Sequence, residues 1–152
     1  MESSINTNGL VDILKSASPD NLGQILAENR DALIADGKPF ARYMREVLEK
    51  HGKTQKEVIE TAGFSMKYGY RLLAEERHTK QRDYILRLCF AGGFTLDETQ
   101  RLLKLYGMSP LYARIPRDAV LISCLSAGTT DIPEVNRILC QNGTAELGIG
   151  EA

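Results

Sequence analysis

The sequence predicts an all-α fold, and three observations carry that expectation. Apolar residues recur at helical spacing along almost the whole chain, and no segment sustains period-two alternation with β-branched enrichment. Ser, Thr and Pro also stand where helices would begin, with Gly where they would end.

In chain order, Leu10, Ile13, Leu14 and Ala17 mark a first short helix. Ser18-Pro19 then reads as an N-cap followed by proline at the first helical position, where the missing N–H costs nothing. Leu22, Ile25, Leu26, Leu33 and Ile34 give the next helix an apolar stripe that ends at Gly37. Phe40, Met44, Val47 and Leu48 place one apolar face on a helix from about Pro39 to Lys50, stopped by His51-Gly52.

Thr54-Gln55-Lys56-Glu57 fits a capping box and opens a helix of two turns before Gly63. Ser65 can cap a second short helix to about Leu73, followed by a polar connection from Glu75 to Gln81. A helix with Ile85, Leu88 and Cys89 runs to Gly92-Gly93, and Thr95-Leu96-Asp97-Glu98 is a second capping box, opening a helix with Leu96, Thr99, Leu103 and Tyr106. Gly107 to Pro116 reads as a loop. Two further helices are expected, one holding Ala119 to Leu125 and one starting near Asp131 with Val135, Ile138 and Leu139; the tail after Asn142-Gly143 is expected to be loose.

A chain of 152 residues, 43% hydrophobic, suffices for one compact domain with appendages. The expected division is a helical extension at 1–37, a core at 38–107, and a helical pair with its tail at 108–152 packed onto the core. No apolar run has the ~18 residues of a membrane span, and Met1-Glu2-Ser3-Ser4 lacks the basic and apolar parts of a signal peptide, so a cytoplasmic protein is expected. Cys89, Cys124 and Cys140 show neither CxxC nor Cys/His spacing and read as buried free thiols, with no metal.

The formal net charge of -1 conceals a pattern. Residues 1–37 carry two basic and six acidic groups, residues 38–87 carry twelve and seven, and residues 88–152 carry five and seven. Positive charge is therefore concentrated in the middle, where phosphate contacts need it, although a set of solvated helical faces has the same composition.

The informative stretch is Thr54 to Leu73, a capped two-turn helix, a tight glycine turn and a second capped helix. Glycine permits the positive φ needed where two short helices meet steeply, and the second helix is then free to lie in a major groove. Thr54-Gln55-Lys56-Glu57-Val58 followed by Ala62-Gly63-Phe64-Ser65 resembles the second helix and turn of λ-repressor-like (Cro/C1-type, XRE) helix-turn-helix domains. The likeness covers about 65 residues and extends more loosely through Arg77 and Arg82-Asp83; phrases such as Asp97-Glu98-Thr99-Gln100-Arg101-Leu102-Leu103 and Glu134-Val135-Asn136 resemble small bacterial regulators with this domain.

The resemblance implies a five-helix DNA-binding core with additional N- and C-terminal helices. It puts Gln55, beside Lys56, near phosphate, and sends the helix after Ser65 into the groove. Two positions depart from the pattern: Ile59 stands where a small alanine is usual, and Gly69 where a branched apolar residue is usual. Two registers of the second helix are then open, and the i, i+4, i+7 stripe of Met66, Tyr70 and Leu73 points to the one shifted by a residue. One buries Met66, Tyr70 and Leu73 and turns Lys67, Tyr68 and Arg71 outward; the other buries Gly69 and Leu72 and still leaves Lys67 and Arg71 outside.

Arg71 suits either a guanine edge or a phosphate, Lys67 a phosphate near the helix start, and Tyr68 a thymine methyl or sugar. Arg77, Lys80 and Arg82 would flank the groove and meet backbone. Catalysis is not expected: His51 and His78 lack partners, no Ser or Cys stands beside a base, and Gly92-Gly93 has no phosphate-binding lysine behind it. The expected function is sequence-specific recognition of double-stranded DNA by a cofactor-free transcriptional regulator. Its outer helices would supply a homodimer contact, bind another protein or complete the core. The competing expectation is a protein-binding module on the same scaffold, favoured by near-zero net charge and the acidic pair Glu75-Glu76.

Overall fold

The computed structural model describes residues 7–28 and 38–150. Every regular element among them is helical, and no helix is long and apolar enough to cross a membrane. The chain divides into two compact units, Met1–Gly37 and Lys38–Ala152.

In the first unit, α1 spans Thr7–Ser16, a 3₁₀ turn spans Pro19–Asn21, and α2 spans Leu22–Glu28. Asn21 Oδ1 accepts hydrogen bonds from the Ser18 backbone N–H at 3.0 Å and the Ser18 hydroxyl at 3.2 Å, which fixes the corner ahead of α2. No side chain described in this unit is fully buried. The continuation expected to carry Leu33 and Ile34 and to end at Gly37 lies outside the described residues.

The second unit holds α3 (Pro39–Lys50), α4 (Gln55–Ala62), α5 (Met66–Leu73), α6 (Arg82–Gly92), α7 (Leu96–Leu105), α8 (Pro116–Ser126) and α9 (Ile132–Gln141). α6 is its axis: α4, α7 and α9 pack on it, and every residue from Ile85 to Gly92 is buried. Apart from Arg87, whose Nε donates to the Gly148 carbonyl at 3.3 Å, this stretch is apolar on all sides and must be enclosed by other elements, which is why it carries no narrow stripe. α5 packs on α4, α3 on α7, and α8 on both α7 and α9. The core runs from Phe40 and Met44 through Val58, Leu72, Ile85, Phe90 and Leu102 to Leu121, Val135 and Leu139.

Side-chain hydrogen bonds order the connections as well. Gln100 brackets Leu111, its Nε2 donating to the carbonyl at 2.9 Å and its Oε1 accepting from the amide at 2.7 Å, so the loop between α7 and α8 folds inward at a buried leucine. Asp118, 1% exposed, accepts from the Tyr112 amide at 2.9 Å and from Arg82. Glu98 joins α7 to the end of α3, accepting from Lys50 Nζ at 2.9 Å and contacting His51 Nε2 at 2.8 Å. Burial opposes the charged form of Glu98, but His51, the Thr95 amide and Lys50 outweigh it and hold the carboxyl at about 2.

Two expectations fail here. The tail is tied down: Leu147 is buried, its amide donates to Asn136 Oδ1 at 2.8 Å, and the Gly148 and Gly150 amides donate to Asp83 Oδ2 and the Tyr84 hydroxyl at 2.8 and 2.9 Å. Arg117 clamps the same strap, reaching both Asp83 oxygens at 2.8 and 2.9 Å and the Ala145 and Glu146 carbonyls at 2.9 Å each. Burial raises the Asp83 carboxyl, yet Arg117 and the Gly148 amide together bring it below its ordinary value. Cys140 is exposed, unlike Cys89 and Cys124, because it lies one helical step beyond the buried stripe of Ile132, Val135 and Leu139.

Candidate nucleic-acid interface

α4, the turn and α5 are assembled by local hydrogen bonds. Thr54 Oγ1 accepts from the Glu57 amide at 3.2 Å, and Glu57 Oε1 accepts from the Thr54 amide at 2.8 Å, completing the capping box. Gly63 closes α4 at φ 90°, where its own and the Phe64 amide both reach the Ile59 carbonyl. A Cβ there would also meet Ile149 Cδ1 at 2.9 Å, so the tail strap lies over the turn. Ser65 Oγ then accepts from the Tyr68 amide at 3.2 Å and starts α5.

The crossing of α4 and α5 decides which face of α5 looks outward. Ile59 fills the place left by the missing side chain of Gly69: a Cβ on Gly69 would lie 2.4 Å from Ile59 Cγ2 and 2.7 Å from Cγ1. The two departures noted in the sequence therefore compensate, with bulk moved from one helix to the other. This contact selects the register that buries Tyr68, Gly69, Leu72 and Leu73. The register that buries Tyr70 is excluded, since Tyr70 is 43% exposed.

Lys67 and Arg71 are exposed and four residues apart, hence on one face of α5, with Tyr70 beside them. Tyr68 is turned inward instead: its ring lies 5.5 Å from Phe64 and 6.3 Å from Tyr84, and the Arg77 guanidinium stands 5.9 Å from its centroid. An outward Tyr68 reaching a base is corrected on that ground, because only 9% of it is exposed. Ser65, Lys67, Tyr68, Arg71 and Arg77 line a hollow of about 220 Å³.

Gln55 lines a second, more open cleft of about 500 Å³ with Arg42, Arg45, Glu46, Leu48, Glu49 and Lys53. Arg42, Arg45 and Lys53 are cations that sequence reasoning passed over. Their signal was available, since the buried stripe Phe40, Met44, Val47 and Leu48 leaves Arg42 and Arg45 on the opposite side of α3. Lys56 and Lys80 are exposed.

Arg82 does not join this surface. Its Nη1 donates to the Ser109 and Pro110 carbonyls at 3.2 and 3.4 Å, and its Nη2 pairs with the buried Asp118. A guanidinium committed to a buried carboxylate and two carbonyls serves the loop before α8, and the expectation of a DNA backbone contact is corrected accordingly.

Glu75 is also accounted for. It adopts φ 58° just beyond α5, and its Oε1 accepts from the Ala41 amide at 2.9 Å, satisfying a free N–H in the first turn of α3. One of the two acids beside α5 is thereby turned toward the core. No group of three or more His, Cys, Asp or Glu able to hold a metal ion occurs among the described residues. Burial pushes the Cys89 thiol up to about 12, which makes it unreactive. Comparison with protein-family models, with curated proteins and with solved structures finds no match to the chain.

Proposed function

We propose that this chain is a sequence-specific, double-stranded-DNA-binding transcriptional regulator, with α3–α7 as a λ-repressor-like five-helix core of the Cro/C1 class. α5 lies in the major groove, and Gln55 with Lys56, Lys53, Arg42 and Arg45 holds the flanking backbone. The observation that carries this reading is the outward face of α5, where Lys67 and Arg71 stand in register and form no ion pair among the described residues. Such cations on the second of two capped helices joined by a glycine turn are what phosphate and base-edge contacts require. The protein acts in the cytoplasm as a homodimer on two half-sites.

Selection from random duplexes followed by a salt titration tests the reading. Binding weakens as salt rises, with a log–log slope of about −0.9 per neutralised phosphate, and Lys67→Ala with Arg71→Ala reduces affinity and slope together. Absence of binding to any duplex at low salt would refute the proposal and leave a protein-binding module. That alternative has lost part of its support, because the Glu75 carboxylate faces α3.

A further inference from the structure

The hollow beside α5 has a composition that its role as part of a basic surface does not require. Three cations, Lys67, Arg71 and Arg77, share its wall with Ser65 and Tyr68, and no carboxylate lines it. None of the three forms an ion pair among the described residues, and of the two neighbouring acids Glu75 is committed to the Ala41 amide while Glu76 is exposed outside the lining. Like charges gathered around one concavity repel one another until an anion enters.

The chain is shaped to bring them together. Lys67 and Arg71 are neighbours one helical turn apart, and the left-handed Glu75 folds the backbone back so that the Glu76 and Arg77 amides both donate to the Arg71 carbonyl, at 2.9 and 3.2 Å. That turn delivers the Arg77 side chain to the hollow. Tyr68, held edge-on by Phe64 and standing under Arg77, makes the wall rigid and partly apolar. Ser65 Oγ spends a lone pair on the Tyr68 amide, which leaves its O–H free to donate outward.

At about 220 Å³ the space is below the ~300 Å³ at which pockets begin to take drug-sized ligands, and Tyr68 shows too little of its ring for a base to stack on. A tetrahedral oxyanion fits both limits. We infer that the hollow is a discrete phosphoryl-group site, with the Arg71 and Arg77 guanidiniums and the Ser65 hydroxyl as donors and Lys67 as a point charge. The inference rests on the DNA reading for the source of the phosphoryl group, a backbone phosphodiester, and it assigns Arg71 to phosphate in place of a guanine edge. A free phosphate or small phosphomonoester offers the same chemistry.

Amide chemical-shift titration of the full chain with inorganic phosphate, against chloride at equal ionic strength, tests the site directly. Saturable shifts at Ser65–Arg71 and Arg77 are expected, with affinity reduced at least about tenfold in Arg77→Ala and less in Arg77→Lys. Arg77 is exposed, so unchanged thermal unfolding of both variants shows that the fold is intact. Absence of saturable shifts at tens of millimolar phosphate, or shifts that Arg77→Ala leaves unaltered, would overturn the inference even if the protein binds DNA. Saturation by phosphate in a protein that binds no duplex would uphold the site and refute the DNA reading. Where both bind, competition between phosphate and duplex identifies the backbone as the source, and simultaneous binding identifies a free phosphate.

Discussion

At the contact between Ile59 and Gly69, packing of two helices depends on one side chain being large because the other is absent. In the native background, Gly69→Ala places a methyl 2.4 Å from Ile59 Cγ2, and overpacking of this kind costs about 1–3 kcal/mol. Ile59→Ala leaves a cavity in the same place and costs about 2–5 kcal/mol. Once Ile59 is alanine, the effect of Gly69→Ala changes sign, since the methyl fills vacated space and alanine is favoured over glycine within a helix by about 1 kcal/mol. Urea unfolding of the four variants checks this, and additive effects would rule the compensation out. Glu98 makes the stability of the fold depend on pH. Its carboxyl falls from 4.5 for an unperturbed glutamate to about 2, so its contribution is complete above about pH 4.5 and disappears as pH falls toward 2. The difference corresponds to about 3 kcal/mol. Glu98→Gln removes that part of the acid sensitivity, and equal pH dependence of unfolding for the two proteins between pH 4.5 and 2 would contradict it.

Among the elements, those defined by local chemistry were legible in the sequence. The capping boxes at Thr54 and Thr95 and the Ser65 cap each act within a few residues, and each appears where the residue types placed it. The register of α5 reads wrongly in the sequence, because glycine gives no hydrophobic signal and the stripe containing Tyr70 therefore looks better than the one containing Leu72, which is the one buried. Only Ile59, on another helix, distinguishes them. The tail was illegible for a related reason: its amides are satisfied by Asp83 and Tyr84, 65 and 66 residues away, and no periodicity encodes such a pairing. Arg82 reads as a free cation in the sequence because its partner Asp118 stands 36 residues away. The strap carries a prediction of its own. Removing residues 144–152 uncovers the site of Leu147, takes the Gly148 amide from Asp83, the Gly148 carbonyl from Arg87 and the Ala145 and Glu146 carbonyls from Arg117, and leaves the Arg117–Asp83 pair, at a cost of at least about 2 kcal/mol for the apolar term alone. Leu147→Ala isolates that term, and a truncated chain with the melting temperature of the full one would show that the strap adds nothing.

Across the whole molecule, charge and burial divide the chain in the same way. The excess of cations at 38–87 falls within the unit Lys38–Ala152, which contains every residue of the core from Phe40 to Leu147, while residues 1–37 are acidic and their described part contributes none. A unit that holds a complete buried core of its own can fold by itself. Residues 38–152 alone are therefore expected to unfold cooperatively, within a few degrees of the full chain. Under the proposed function, titration of the shortened protein with duplex DNA separates two roles for the N-terminal unit. If residues 1–37 supply the dimer contact, the shortened protein binds a single half-site with undiminished salt dependence per protomer but loses the gain from two linked half-sites, which reaches about 10²–10⁴ in affinity. If the acidic unit only opposes the phosphate backbone, its removal strengthens binding, most of all at low salt. Fluorescence anisotropy on one-site and two-site duplexes, with sedimentation to count protomers, distinguishes these outcomes. Failure of residues 38–152 to fold would contradict the assignment of the core to that unit.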